Sequence, residues 1–269
     1  MDWTDISSIL HPFFKWLHVI AGVMWIGLLY FFNFVNAQFA TTLDADSKKK
    51  VVPELMPRAL YWFRWGAAWT WFTGLILLYV IYWHGNMSMG EIDANTMFKD
   101  GTIGPLSHSL ILLTFLIVFL YDAFYKSSIG KNTRLATIIS FAFIGLFIYI
   151  LSCYGNFQYR AYNIHLGAMF GTIMAFNVWF RIWPAQQRII TAIKNGDSPN
   201  ADDVGLAGLR SKHNTYMSVP LIWTMSNQHH VTWDGMFNLN GIIWLLIIVA
   251  VGWHLVFQLY KRSTKVKGF

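Results

Sequence analysis

Long apolar runs separated by short polar stretches set the pattern of this chain. A membrane-crossing helix needs about 20 mainly apolar residues. Six stretches meet that length: Leu10–Phe39, Leu60–Trp83, Leu106–Tyr125, Leu135–Tyr154, Tyr162–Trp183 and Leu239–Leu259. A further stretch, Tyr216–Gln228, is short and carries Pro220, which predicts a kinked or re-entrant span. Between Gln186 and Arg210 the chain is polar, with Asn195-Gly196-Asp197 and Ser198-Pro199-Asn200. That composition predicts a loop, begun by a short interfacial helix. The expected fold is an all-α integral membrane protein. It forms a bundle of about seven transmembrane helices and a single transmembrane domain over residues 1–269.

Composition fits lipid as the solvent. Hydrophobic residues make up 55% of the chain and charged residues 12%, against about 25% charged in soluble domains. The net charge of +7 would suit a nucleic-acid binder, but the placement of the charge argues otherwise. With seven spans, every Lys and Arg except Lys15, Lys99 and Arg160 falls on one side. The positive-inside rule then puts the N-terminus out and the C-terminus in. A multi-pass protein of the bacterial inner (cytoplasmic) membrane is expected, with the lipid bilayer as a partner and no nucleic acid. Trp3, Trp83, Trp183 and Trp233 sit near span ends, as interfacial anchors do. Met1–Ser8 is acidic and the first apolar run is long, so no cleavable signal peptide is expected. The single cysteine, Cys153, excludes an internal disulfide, a covalent c-type haem attachment and a Cys-based metal cluster within these residues.

The chemistry then rests on histidine, because an ionisable group inside a bilayer is costly and marks function by default. His11, His84, His108, His229 and His230 lie near outer span ends and read as wet interfacial residues. His18 lies about 10 Å below the outer end of the first span at 1.5 Å per residue. It shares a helical stripe with His11, Lys15, Gly22 and Trp25, and Gly22 leaves room one turn away for a flat macrocycle. His165 sits one turn into the fifth span, beside the close-packing pair Gly167 and Gly171. His18 and His165 enter from the same side at comparable depth. Two helices would thus present axial imidazoles to one iron, as haem-binding bundles do. The plainer alternative is histidines hydrogen-bonded across helices. Arg160, just outside His165, would pair with haem propionates or with an anionic substrate. On the inner side, His213 and His254 would ligate a second haem, with Arg64 at the right level for its propionates. One haem b or two are therefore expected.

Three segments carry a family resemblance. They are His18-Val19-Ile20-Ala21-Gly22-Val23-Met24-Trp25-Ile26-Gly27, the run from His165 to Asn177, and Arg210-Ser211-Lys212-His213-Asn214-Thr215-Tyr216-Met217 followed by Ser226-Asn227-Gln228-His229. Together, and in this order, they resemble the membrane domain of the bacterial membrane-bound urate oxidases, the urate hydroxylase family with a C-terminal cytochrome c. The resemblance implies an all-helical membrane domain that oxidises urate and passes electrons to a cytochrome c on the periplasmic side. No C-x-x-C-H occurs in these residues, so the cytochrome c, or another redox subunit, is expected as a separate polypeptide. Enzymatic urate oxidation is expected where the family activity is retained. Near the outer surface, Asn156, Gln158, Arg160 and Asn227 are available for a planar anion. Two other functions stay open: a haem-carrying electron-transfer subunit without its own substrate, and a non-redox metal transporter or structural subunit.

Overall fold

Among the described residues each apolar run folds as a helix, and much of the polar sequence between them is helical too. The computed structural model describes residues 3–84, 98–99, 104–227 and 240–268, without the side chains of residues 3–7, 82 and 84. The expectations for His229, His230, Gln228, Trp233 and the side chains of Trp3 and His84 lie outside the described residues. The helices are α1 (Trp3–Tyr30), α2 (Ala37–Thr42), α3 (Ala45–Leu78), α4 (Pro105–Lys126), α5 (Ser128–Lys131), α6 (Thr133–Cys153), α7 (Tyr159–Asn177), α8 (Trp183–Asn195), α9 (Ala201–Ser226) and α10 (Gly241–Ser263). Widened π turns follow α1 at Phe31–Asn36, α3 at Tyr79–His84 and α7 at Val178–Ile182. The one extended pairing among the described residues is a bridge between Phe98 and Phe157.

Among the described residues, four helical segments are long and apolar enough to cross a membrane: Ser8–Thr42, α4, α6 and α10. Their outward faces are large and apolar, as lipid requires. Phe119 is 62% exposed and Ile138 59%. The other three expected spans are helical but more polar. α3 is 34 residues long and opens with Asp46, Lys48, Lys49, Lys50, Glu54 and Arg58. α7 carries Asn163 and His165, both fully buried.

The region expected as a loop differs most. Helix α9 starts at Ala201, so Tyr216–Ser226 is the end of a 26-residue helix that runs through Pro220. The cause is local. Gly196 adopts φ 87° and closes α8, and Asn200 Oδ1 accepts from Asp202 N at 2.8 Å to start α9. Asp202 and Asp203 then meet the positive end of the α9 dipole. Ala185 and Ile189 of α8 pack on Ala207, and Arg188 pairs with Asp203. The Arg188 guanidinium holds the half-buried Asp203 carboxyl below its ordinary range.

The chain packs as two compact units. The His18 unit comprises Pro12–Gly74, Met174–Ser218 and Trp253–Phe269. In it, α1 and α3 form an antiparallel zipper of bulky residues against small ones. His18 lies on Gly74, Gly22 meets Thr70 and Trp25 lies on Gly66. Leu29 and Phe63 are buried with them. A polar network links the remaining helices of this unit. Tyr260 donates to Asn33 Oδ1 at 2.8 Å, and Asn33 donates to Ser211 Oγ at 2.8 Å. Asn177 donates to Asn214 Oδ1 at 2.9 Å, and Asn214 to the Met174 carbonyl at 3.0 Å.

The His165 unit comprises Met1–His11, Leu75–Ile173 and Val219–Gly252. Here α4 and α6 form a hairpin through the single turn α5, capped by Ser127 and Asn132. Ser107 ties α4 to the Gly155 carbonyl at 3.1 Å. Gly252 leaves space for the Pro220 ring, and Gly167 lets α7 close onto Thr224 and Met225 of α9.

Candidate functional site

His165 is fully buried on α7. Its Nδ1 lies 2.7 Å from the Ala161 carbonyl, one turn back on the same helix. A carbonyl only accepts, so Nδ1 carries the proton and Nε2 holds the lone pair. Nε2 has no hydrogen-bond partner among the described residues. Leaving a buried acceptor unsatisfied costs about 1–3 kcal/mol. The Phe157 ring packs against the imidazole at 5.1 Å between centroids. Phe157 is itself fixed by Phe98, at 5.1 Å. A buried, oriented imidazole with a lone pair on Nε2 is the form that binds iron or another metal. The donor set here therefore fits a haem iron. Glycines 167 and 171 do what close packing asks, against Thr224 and Leu221, and leave His165 out of that contact.

His18 is half-buried on α1. Its Nδ1 lies 3.1 Å from Thr73 Oγ1. The Thr73 hydroxyl spends its only proton on the Trp69 carbonyl at 2.6 Å. Toward the histidine it must accept, so His18 Nδ1 donates and Nε2 again holds the lone pair. The ring lies against Gly74: a Cβ there would stand 2.9 Å from His18 Cε1. Gly22, expected to clear space for a macrocycle, faces α3 instead, and a Cβ there would sit 3.8 Å from Thr70 Cγ2. Thr73 and Gly74 are thus the residues that sequence reading missed at this histidine. Their only signal was a Thr-Gly pair inside an aromatic helix.

The remaining expected residues have different settings. His213 lies inside α9 and is half-buried. His254 is exposed on α10, and its Nε2 accepts from the Gln258 amide at 3.1 Å. Arg64 is held among aromatic rings of its own unit, closest to Trp183 at 4.1 Å. Arg160 is half-buried in the first turn of α7, five residues before His165. Of the amides expected near a planar anion, Gln158 donates to the Phe98 carbonyl at 3.3 Å. Asn156 takes a positive φ of 61° and accepts from Lys99 N at 2.9 Å through its carbonyl. Asn227 turns back onto the Trp223 carbonyl. Sequence reading also passed over Asn163. It is fully buried, its Nδ2 donates to the Thr224 carbonyl at 3.3 Å, and its Oδ1 lacks a partner among the described residues.

Among the described residues no group of three or more His, Cys, Asp or Glu side chains is placed to hold a metal ion. A haem iron takes only one or two protein ligands, so single imidazoles remain the relevant donors. One family model, described as Urate oxidase N-terminal, matches residues 42–267. His165, His213 and His254 fall within that match, and His18 precedes it. No curated protein and no solved structure matches the chain.

Proposed function

We propose, from the premise that this chain belongs to the Urate oxidase N-terminal family, that it is a haem b-carrying redox protein of the bacterial inner membrane. It oxidises urate or a closely related planar anion and delivers electrons to a cytochrome c-type acceptor outside these 269 residues. In this reading seven helical passes cross the bilayer with the N-terminus out. Besides the four apolar spans, α3, α7 with its π turn, and α9 are the passes that carry polar groups. At 26 residues α9 is about 39 Å long, enough to cross.

The observation that carries the reading is His165: fully buried, its Nδ1–H tied to its own helix and its Nε2 lacking a hydrogen-bond partner among the described residues. His18 shares that tautomer in the other unit and is the second candidate ligand. A bound haem would supply one-electron steps between ferric and ferrous iron. Hydroxylating urate with oxygen from water releases two electrons and two protons, so such a carrier would turn over twice per substrate. Arg160 supplies the cation for an anionic substrate at the start of α7.

The test is a reduced-minus-oxidised visible spectrum of the purified protein, followed by anaerobic addition of urate. Haem b bands and their reduction by urate are expected. A colourless protein from haem-replete cells would overturn the haem assignment, and haem that urate leaves oxidised would overturn the substrate.

A further inference from the structure

Arg64 lies midway along α3 in the His18 unit. Its guanidinium carbon stands 4.1 Å from the Trp183 ring centroid, 5.2 Å from Trp179 and 6.0 Å from Tyr61. Trp179 Nε1 also donates to the Arg64 carbonyl at 3.0 Å, which locks this side of the cage to the α3 backbone. Trp179 lies in the π turn Val178–Ile182 and Trp183 follows it directly, one turn on, so both rings reach the same arginine. Stacking of this kind covers the faces of the guanidinium and leaves its edge as the hydrogen-bonding surface. Arg64 forms no salt bridge among the described residues, and its buried Nε has no acceptor there. The nearest basic residue on α3, Arg58, is already paired with Glu54.

A cation held in an aromatic box, with no carboxylate on it among the described residues, is placed to take an anion from its surroundings. The surroundings say where it comes from. Tyr61 is 48% exposed and Trp65 39%, and both border the cage on α3. Trp65 packs edge-on to Trp179 at 5.5 Å, and Phe180, on the π turn, is 61% exposed. Exposed aromatic rings around a basic residue mark the headgroup level of a membrane protein, and a ligand reaching them arrives from the lipid. We propose that Arg64, caged by Trp179 and Trp183, binds the phosphate of an anionic phospholipid at the bilayer surface. The planar edge of the guanidinium takes two phosphate oxygens, and the tryptophans receive the upper acyl chain and glycerol.

The test uses the full chain, purified in mild detergent, stripped of lipid, and examined by native mass spectrometry. Dioleoyl-phosphatidylglycerol, dioleoyl-phosphatidylcholine and inorganic phosphate are titrated in separate arms. One phosphatidylglycerol is expected to bind about tenfold more tightly than phosphatidylcholine, whose own choline cation already neutralises its phosphate. Inorganic phosphate should not displace it. Arg64→Gln should abolish the preference and leave the haem content as in wild type. Trp183→Leu keeps the charge, removes the nearest ring and should weaken phosphatidylglycerol binding too. It serves as the deciding variant if Arg64→Gln does not fold. A preference that survives both substitutions overturns the proposal. So does displacement by free phosphate, or loss of haem in Arg64→Gln, which would return Arg64 to a propionate.

Discussion

His165 and His18 reach the same tautomer by different routes. His165 takes its orientation from the Ala161 carbonyl, one turn back on α7. The acceptor that points Nε2 belongs to its own helix, and the Phe157 ring packs on the imidazole. His18 takes its orientation from Thr73 and lies on Gly74, both on α3. It is correctly posed only if α1 and α3 pack in register. The first imidazole is therefore fixed by local geometry and the second by tertiary structure. A side-chain partner can be removed by mutation, whereas a backbone carbonyl cannot. The two sites should differ in how they fail.

The largest effect is expected at His165 itself. Replacing it with Ala removes the donor and leaves an apolar hollow, so haem should be lost outright. His108 provides the internal control. Its Nδ1 also meets a carbonyl one turn back, Gly104 at 3.0 Å, but the residue is exposed. His108→Ala should keep full haem content, measured as the pyridine haemochrome per protein. Equal losses from both variants would show that burial is not what separates these histidines.

Next comes Gly74→Val. Its Cβ alone would stand 2.9 Å from His18 Cε1, and branching adds to the clash. The ring must swing away from Gly74 and leave Thr73. Haem content or the low-spin spectrum should change strongly, with thermal stability down by about 1–3 kcal/mol from overpacking. An unchanged spectrum at lowered stability would remove His18 as a ligand. Thr73→Val is gentler. It keeps the shape of the side chain and removes the acceptor for His18 Nδ1–H. Loss of such an outer hydrogen bond costs roughly 10–100-fold in affinity, read here as faster haem transfer to apomyoglobin. No equally simple substitution exists for His165, and that asymmetry is what the pair of variants measures.

Much of this was legible in the residues, and the gaps have physical causes. Apolar runs marked every long helix, because lipid-facing sides must be apolar wherever they fall along the chain. His165 stood out because a histidine inside an apolar run has few inexpensive explanations. Helix α9 was read too short. Its first half, Ala201–His213, is polar because it packs partly on α8 rather than facing lipid, and the apolar pattern alone cannot distinguish such a helix from a loop. Thr73 and Gly74 were invisible because their role depends on which residue of α1 faces them. Periodicity gives the face of one helix but not its register against another. The same limit hid the neighbour of Gly22, which shares a stripe with His18 and meets Thr70 on α3.

Gly22 gives the smallest expected effect and the sharpest check on the register. A methyl group there would sit 3.8 Å from Thr70 Cγ2, an ordinary contact. Replacing a mid-helix glycine with alanine also favours the helix by about 1 kcal/mol. Gly22→Ala should therefore leave haem content unchanged and hold or slightly raise the melting temperature. Gly74→Ala, which adds the same methyl group on the opposite helix, should disturb the His18 ring. If Gly22→Ala instead loses haem while Gly74→Ala is silent, the macrocycle lies along α1 at Gly22. His18 would then turn toward that face and away from Thr73, and the contrast between a locally fixed and a tertiary-fixed imidazole would collapse.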